Sequence, residues 1–259
     1  MSTILDKIIA HKFEEVKAQK SKIPLSKLLE KERSRPYYSL KENLLMDNAS
    51  GIIAEFKRRS PSKNWINKEA VSANVVPEYA KAGASGSSIL TDTNFFGGET
   101  YDITSVANQV KLPLLRKDFI VDEYQIIEAN KMGADVILLI AACLSPERVK
   151  QLAKTAKDNK LEVLLEIHNK QELEHICDDI TLVGVNNRNL HNFETSLETS
   201  VELSSLIPDK FIKISESGIR NANDIIYLRS FGFKGFLIGE SFMKTNEPGN
   251  ECKQFIDKL

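Results

Sequence analysis

Eight short apolar runs, separated by stretches of helical spacing, set the tightest limit on how this chain can fold. The runs are Ile52–Phe56, Ser85–Leu90, Pro113–Arg116, Asp135–Ala141, Leu161–Ile167, Thr181–Val185, Phe211–Ser215 and Gly235–Ile238. Helix-like segments lie between them, near 67–82, 99–109, 122–132, 146–158, 170–177, 198–207 and 221–231. Short β-prone runs bounded by breakers read as buried strands. Gly83, Gly133 and Gly232 stand where helices would stop. Strands alternating with helices pair in parallel. Eight such units in 259 residues predict a closed α/β barrel, the (β/α)8 or TIM barrel, which takes about 250 residues. An open doubly wound sheet would compete, but no Gly-x-Gly-x-x-Gly or phosphate-loop sequence follows any run.

About 48 residues precede the first strand. Ile4, Leu5, Ile8, Ile9, Phe13 and Val16 recur at helical spacing over 2–21. Pro24 opens a second helix over 24–33, where its missing N–H costs nothing. Ser39 followed by Glu42 predicts a third helix with a capping box. The expected organisation is one domain, 1–259, with 1–48 as a helical extension.

Composition excludes several classes of function. With 35 basic and 36 acidic residues there is no global charge to attract nucleic acid or an anionic membrane. The longest apolar stretch, Val136 to Leu144, falls far short of the roughly 20 residues of a membrane helix. Charged residues interrupt the N-terminus, so no signal peptide is expected. Cys143, Cys177 and Cys252 are odd in number and scattered, which predicts free thiols in a reducing, cytoplasmic setting. Nothing in the sequence fixes an oligomeric state, and a monomer is the expectation taken.

Barrels of this kind hold their chemistry where the strands exit. Side chains on a strand alternate faces, so Ile53, Glu55 and Lys57 point one way, just before the breaker cluster Ser60-Pro61-Ser62. Lys117 shares a face with Leu115, and Glu166 with Leu164. A buried carboxylate such as Glu166 needs cationic partners, and Lys57 and Lys117 are the expected ones. Asn186, Asn187 and Arg188 form a polar run after the sixth strand. Ser217-Gly218 and Gly239-Glu240 follow the seventh and eighth strands, the usual barrel site for a phosphate held by backbone amides. Glu240 would serve there through its N–H, with its carboxylate turned away. His168 reads as a loop residue opening the next helix. His11, His175 and His191 lack metal-ligand spacing. Trp65 and the Phe95-Phe96 pair suit either stacking on an aromatic substrate or closing the core.

The stretch Glu55-Phe56-Lys57-Arg58-Arg59-Ser60-Pro61-Ser62 resembles the signature of the indole-3-glycerol phosphate synthase family: Glu, apolar, Lys, two variable residues, Ser-Pro-Ser. Asn64 stands where that family usually has Gly, and Asn tolerates the left-handed backbone such a turn needs. Leu115-Arg116-Lys117-Asp118-Phe119, Leu165-Glu166-Ile167-His168, the run from Gly184 to Leu190, Ser215-Glu216-Ser217-Gly218-Ile219 and Leu237-Ile238-Gly239-Glu240-Ser241 are similar to the family too. So is Leu90-Thr91-Asp92 with Phe95-Phe96-Gly97, and the resemblance spans residues 50–245.

The resemblance implies extra N-terminal helices near the barrel mouth. It also implies ring closure of 1-(2-carboxyphenylamino)-1-deoxyribulose 5-phosphate to indole-3-glycerol phosphate, with loss of carbon dioxide and water. That chemistry requires no cofactor and no metal; the partner is the anionic small-molecule substrate alone. Lys117 would be the general acid, its pKa drawn toward neutrality by nearby cations. Lys57 would hold the substrate carboxylate, Glu166 would serve the dehydration and Glu55 would orient the lysines or sugar hydroxyls. Ser60, Phe119, Asn186, Arg188 and Glu216 complete the expected substrate contacts. Lys57, Ser217, Gly218, Gly239 and Glu240 are the expected phosphate site. Three rivals compete: a phosphoribosylanthranilate isomerase, a fused two-enzyme chain, and a barrel that only binds a phosphosugar. No cysteine stands at a strand end suited to the isomerase's thiol base, a fusion is not expected in a sequence stopping at Leu259, and pure binding would not require Lys117 with Glu166.

Overall fold

The structure, a computed structural model, describes residues 3–190 and 193–259; His191 lies outside them. Eight parallel strands close into a barrel in chain order: β1 (Ile52–Phe56), β2 (Gly86–Leu90), β3 (Leu114–Lys117), β4 (Val136–Ile140), β5 (Glu162–Ile167), β6 (Leu182–Asn186), β7 (Ile212–Glu216) and β8 (Phe233–Ile238), with β8 beside β1. The expected limits coincide with β1 and differ from those of the other strands by a residue or two.

Period-two alternation sorts each strand into two apolar layers. Ala54, Phe56, Leu114, Val163 and Leu165 face outward into the layer beneath the helices. Ile53, Leu115, Leu164, Ile214 and Leu237 fill the barrel interior. Two residues after four of those interior aliphatics the same face carries Glu55, Lys117, Glu166 and Glu216. The strand period alone therefore delivers four ionisable groups to one end of the barrel axis.

Among the outer helices, α4 (Ser72–Lys81), α5 (Glu123–Met132), α6 (Pro146–Asp158), α7 (Glu198–Ser204) and α8 (Ala222–Ser230) fall within expected segments. The connection over 170–177 is a 3-10 helix, Lys170–His175, capped by Asn169. A terminal helix, Pro248–Ile256, packs against α4, where Gly249 lies so close that a Cβ would meet Glu78. After β1 the loop folds into a short antiparallel ladder, Arg59–Ser60 with Asn64–Trp65. Asn64 adopts the left-handed conformation expected of it, with φ 57°.

The extension forms α1 (Ile4–Lys22), α2 (Leu25–Glu30) and α3 (Leu40–Leu45). A Thr3–Asp6 capping box starts α1, and Ile4, Leu5 and Ile8 line the cleft at the carboxyl ends of the strands. The expectation that 1–48 lies near the mouth fails for α3. Leu40 and Leu44, one turn apart, enter the interior cluster from the amino end of the strands. Leu40 packs against Gly86, the first residue of β2, where a Cβ would approach it to 2.6 Å. The capping box is also replaced. Ser39 Oγ accepts from the Glu42 amide, while Glu162, opening β5, takes the Leu40 and Lys41 amides at 2.9 and 3.1 Å. Between α2 and α3, Arg33 is tied to Asp135 at 2.5 Å. The extension thus runs from the mouth, down the wall, to the floor.

Among the described residues no helix is long and apolar enough to cross a membrane, and Cys143, Cys177 and Cys252 are unpaired.

Candidate active site

A cleft of about 520 Å³ opens at the carboxyl end of the barrel, within the range of small-molecule sites. On its floor the Lys117 ammonium is held between two carboxylates, 3.0 Å from Glu166 Oε2 and 2.5 Å from Glu216 Oε2. Glu55 joins them from β1 and pairs with Lys57 at 2.6 Å. The expected pairing of Glu166 with Lys57 is therefore not formed. Lys57 is retained by Glu55 on its own strand face, and the second cation on Glu166 is His168, whose Nε2 stands 3.3 Å from Glu166 Oε1. His168 Nδ1 faces Glu172 Oε2 at 3.3 Å. The histidine thus bridges two carboxylates, a role beyond that of a loop residue.

These neighbours set the charge states. Burial works against the Lys117 ammonium, yet Glu166, Glu216 and Glu55 together outweigh it and hold the lysine above its ordinary range. The expected shift toward neutrality is reversed, because carboxylates and not cations surround the group. Burial also opposes charge on Glu166, but Lys117 and His168 overcome it and keep that carboxyl below the usual carboxylate range. Glu216 has less compensation. It shares Lys117, its Oε1 has no partner, and it presses against Gly184, where a Cβ would come within 2.2 Å. Burial, with the charges of Glu166 and Glu55, outweighs Lys117 and pushes Glu216 up to about 7. For His168 burial is outweighed by Glu166 and Glu172, and the imidazole is pushed up to about 10.

The remaining candidates ring this floor. Asn186 Nδ2 donates to Glu166 Oε1 at 3.2 Å, and its Oδ1 accepts from the Arg188 amide. Arg188 reaches Ser62 Oγ at 3.3 Å and Glu240 at 4.0 Å. Glu240 also lies 3.9 Å from Lys63, so its half-exposed carboxylate is drawn toward the cations of the β1 and β6 loops. Ser60 is buried on the cleft wall, and its Oγ accepts from the Lys63 amide. Ser217 and Gly218 both take left-handed backbone, φ 66° and 78°. Gly239 precedes the short helix Glu240–Met243 and lies against Glu55, where a Cβ would fall 2.5 Å from Oε1. Lys63 and Lys244 also line the cleft, and no motif in the sequence singles them out.

Phe119 and Phe96 form an aromatic wall with ring centroids 5.9 Å apart. Trp65 is not part of it; it covers Gly97 outside the cleft, near Arg59 and Lys68. Phe95 packs edge-on to His11. Of three consecutive charges after Leu115, Lys117 and Asp118 border the cleft, and only Lys117 reaches the carboxylates on its floor. Arg116 turns outward to Glu128 at 2.9 Å, and Asp118 turns to Lys12 of α1 at 3.0 Å. Cys143 follows β4 and its thiol is held protonated, first by burial and then by Glu166, so it offers no thiolate base. His175 is buried with its ring nitrogens on the Leu144 and Glu172 carbonyls. Among the described residues no cluster of His, Cys, Asp and Glu is arranged to hold a metal ion.

Solved barrels share this architecture at low identity. A 3-hexulose-6-phosphate synthase from Salmonella typhimurium superposes with a TM-score of 0.62 at 10% identity, covering 81% of this chain and 98% of its own. A chain of the tryptophan synthase complex from Pyrococcus furiosus gives 0.60 at 14%, covering 83% and 99%. These likenesses speak for the fold alone. Sequence relatives go further. An indole-3-glycerol phosphate synthase from Bacteroides thetaiotaomicron is 48% identical over 259 residues, all of both chains. One from Acinetobacter baumannii is 40% identical over 249 residues, 95% of this chain and 93% of its own. The family model described as indole-3-glycerol phosphate synthase matches residues 5–255. With the signature residues gathered at one barrel mouth, the chain belongs to the indole-3-glycerol phosphate synthase family.

Proposed function

We propose that Lys117, Glu166 and Glu216 form the proton-transfer centre of the reaction that defines this family. Members are carboxy-lyases of tryptophan biosynthesis, and the chain converts 1-(2-carboxyphenylamino)-1-deoxy-D-ribulose 5-phosphate to indole-3-glycerol phosphate with loss of carbon dioxide and water. One observation carries the residue assignment: a fully charged ammonium sits on the cleft floor between two buried carboxylates.

Ring closure joins the carboxylate-bearing aromatic carbon to the ketone carbon, and negative charge develops on the ketone oxygen. Lys117 protonates that oxygen as general acid. Carbon dioxide then leaves from a carbon that has become sp3 beside an iminium, which accepts the electron pair and restores the ring. Donating its proton leaves Lys117 neutral and removes the cation from both carboxylates, so their basicity rises when the next step needs a base. As the hydroxyl departs as water, with a proton drawn from solvent through Glu216, Glu166 takes the proton lost from carbon. At 3.0 Å it stands where it can return a proton to Lys117. Glu216, already shifted upward, buffers that exchange.

Lys57, oriented by Glu55, holds the substrate carboxylate and reaches toward the phosphate. The phosphate rests on the Ser217, Gly218, Gly239 and Glu240 backbone, and the aromatic ring lies on Phe119. Ser60, Asn186 and Arg188 bind carboxylate and sugar. The same reading takes the protein as a cytoplasmic monomer without cofactor or nucleic-acid partner, in keeping with its three free thiols and balanced charge. Mixing purified protein with the carboxyphenylamino substrate tests it: indole absorbance must appear. Its absence with correctly folded protein would overturn the reading.

A further inference from the structure

The least expected charge in the molecule belongs to α1. Lys12 is completely buried, and its Nζ lies 3.0 Å from Asp92 Oδ2 and 3.0 Å from Asp118 Oδ1. It also donates to Glu15, one turn along the helix, at 3.1 Å. Both aspartates are buried and follow barrel strands, Asp92 after β2 and Asp118 after β3. Each also holds the backbone of an aromatic residue in the cleft wall. Asp92 Oδ1 accepts from the Phe95 and Phe96 amides at 2.8 and 3.3 Å. Asp118 Oδ1 accepts from the Phe119 amide at 2.8 Å, while its Oδ2 takes Thr91 Oγ1 and Arg116. Leu5, Ile8 and Lys12 share one face of α1, so the helix that buries this ammonium also lines the cleft together with the two rings.

We infer that Lys12 is a positioning residue for the substrate's aromatic ring: by bridging Asp92 and Asp118 it sets Phe96, Phe119 and the cleft face of α1 in one fixed arrangement. A buried ion bridge adds little net stability over well-packed apolar groups. What it supplies here is position: its hydrogen bonds go to Glu15 on its own helix, while its charge stands 3.0 Å from a carboxylate on each of two loops and draws both to one point. Lys117 needs no such help; Glu166 and Glu216 already hold its Nζ. Loss of the bridge therefore misplaces the ring and leaves proton delivery intact.

The inference rests on the proposed placement of the ring against Phe119, and the test separates the two. Lys12→Met should raise KM about tenfold or more, with kcat within threefold and an unchanged pH profile. A purely structural role would lower the folded fraction, reducing apparent kcat while leaving KM alone. The double variant Lys12→Met/Asp92→Asn removes the unpaired charge, keeps an oxygen for the Phe95 and Phe96 amides, and should still show the raised KM. Wild-type KM in either variant overturns the inference. Phe96→Ala distinguishes its failure from that of the ring placement, because it raises KM wherever the ring lies on this wall. In the unaltered protein, the amides of Phe95, Phe96 and Phe119 should exchange with solvent at one opening rate shared with α1. Independent rates would overturn the bridge without any substitution.

Discussion

Gly239 lies so close against Glu55 that a methyl group on its Cα would fall 2.5 Å from Oε1 and 2.8 Å from Cβ of the glutamate. The phosphate-side loop of β8 and the Glu55–Lys57 pair of β1 are therefore one packed unit. Gly218 differs: its nearest neighbours, Thr195 and Leu197, leave 3.4 Å or more, and only its φ of 78° resists a side chain.

That difference separates two glycine variants. Gly218→Val should weaken free-phosphate and substrate binding together, with kcat largely kept. Gly239→Ala should displace Glu55, free Lys57 and lower kcat about tenfold or more. Thermal-shift titration with phosphate, beside steady-state kinetics, reads both effects. Wild-type kcat in Gly239→Ala would show that Glu55 yields without consequence.

The two carboxylates on opposite sides of the floor should fail at different steps. Glu166→Gln should still release carbon dioxide in a single turnover and then stall before water is lost. Glu55→Gln should slow the earlier steps, because it releases Lys57. Rapid-quench sampling that follows carbon dioxide and indole product separately distinguishes them. An undehydrated intermediate building up in Glu55→Gln but not in Glu166→Gln would reverse the roles.

His168 makes folding stability depend on pH. Its folded pKa, about 10, lies above the ordinary histidine value of about 6.5, so the folded state binds the extra proton between them. The contribution is full below about 6.5 and is lost as pH rises toward about 10, with a slope of up to about 1.4 kcal/mol per pH unit. His168→Gln should flatten this decline in urea-denaturation stability measured from pH 6.5 to 10. An unchanged slope would place the imidazole's titration elsewhere than between Glu166 and Glu172.

Much of this was legible in the strand period. Ile53 predicts Glu55, Leu115 predicts Lys117 and Leu164 predicts Glu166, because each pair lies two residues apart on an inward face. The same step from Ile214 leads to Glu216, which the sequence alone presents as a substrate contact and the closed barrel makes a partner of Lys117. Ion-pair partners were less legible, since they are set by distances between strands far apart in the chain. Lys57 goes to Glu55, and His168 goes to Glu166, for reasons of geometry that alternation does not encode. The extension was hardest to place. Helical spacing marks α1 and the Ser39–Glu42 pair marks α3, but nothing local reveals that Leu40 and Leu44 plug the amino end of the barrel while Ile4 and Ile8 face the mouth. Lys12 is the clearest case: on the helix it reads as one more surface lysine among several, and only the closed barrel shows the two aspartates that bury it.

The assignment of Lys117 as general acid is tested most directly by Lys117→Met, which keeps most of the volume and removes the proton. Single-turnover formation of indole product should fall about 100- to 10,000-fold, while protection by phosphate in a thermal-shift titration stays near the parent level. A Lys117→Met protein that turns over within threefold of the parent would contradict the account.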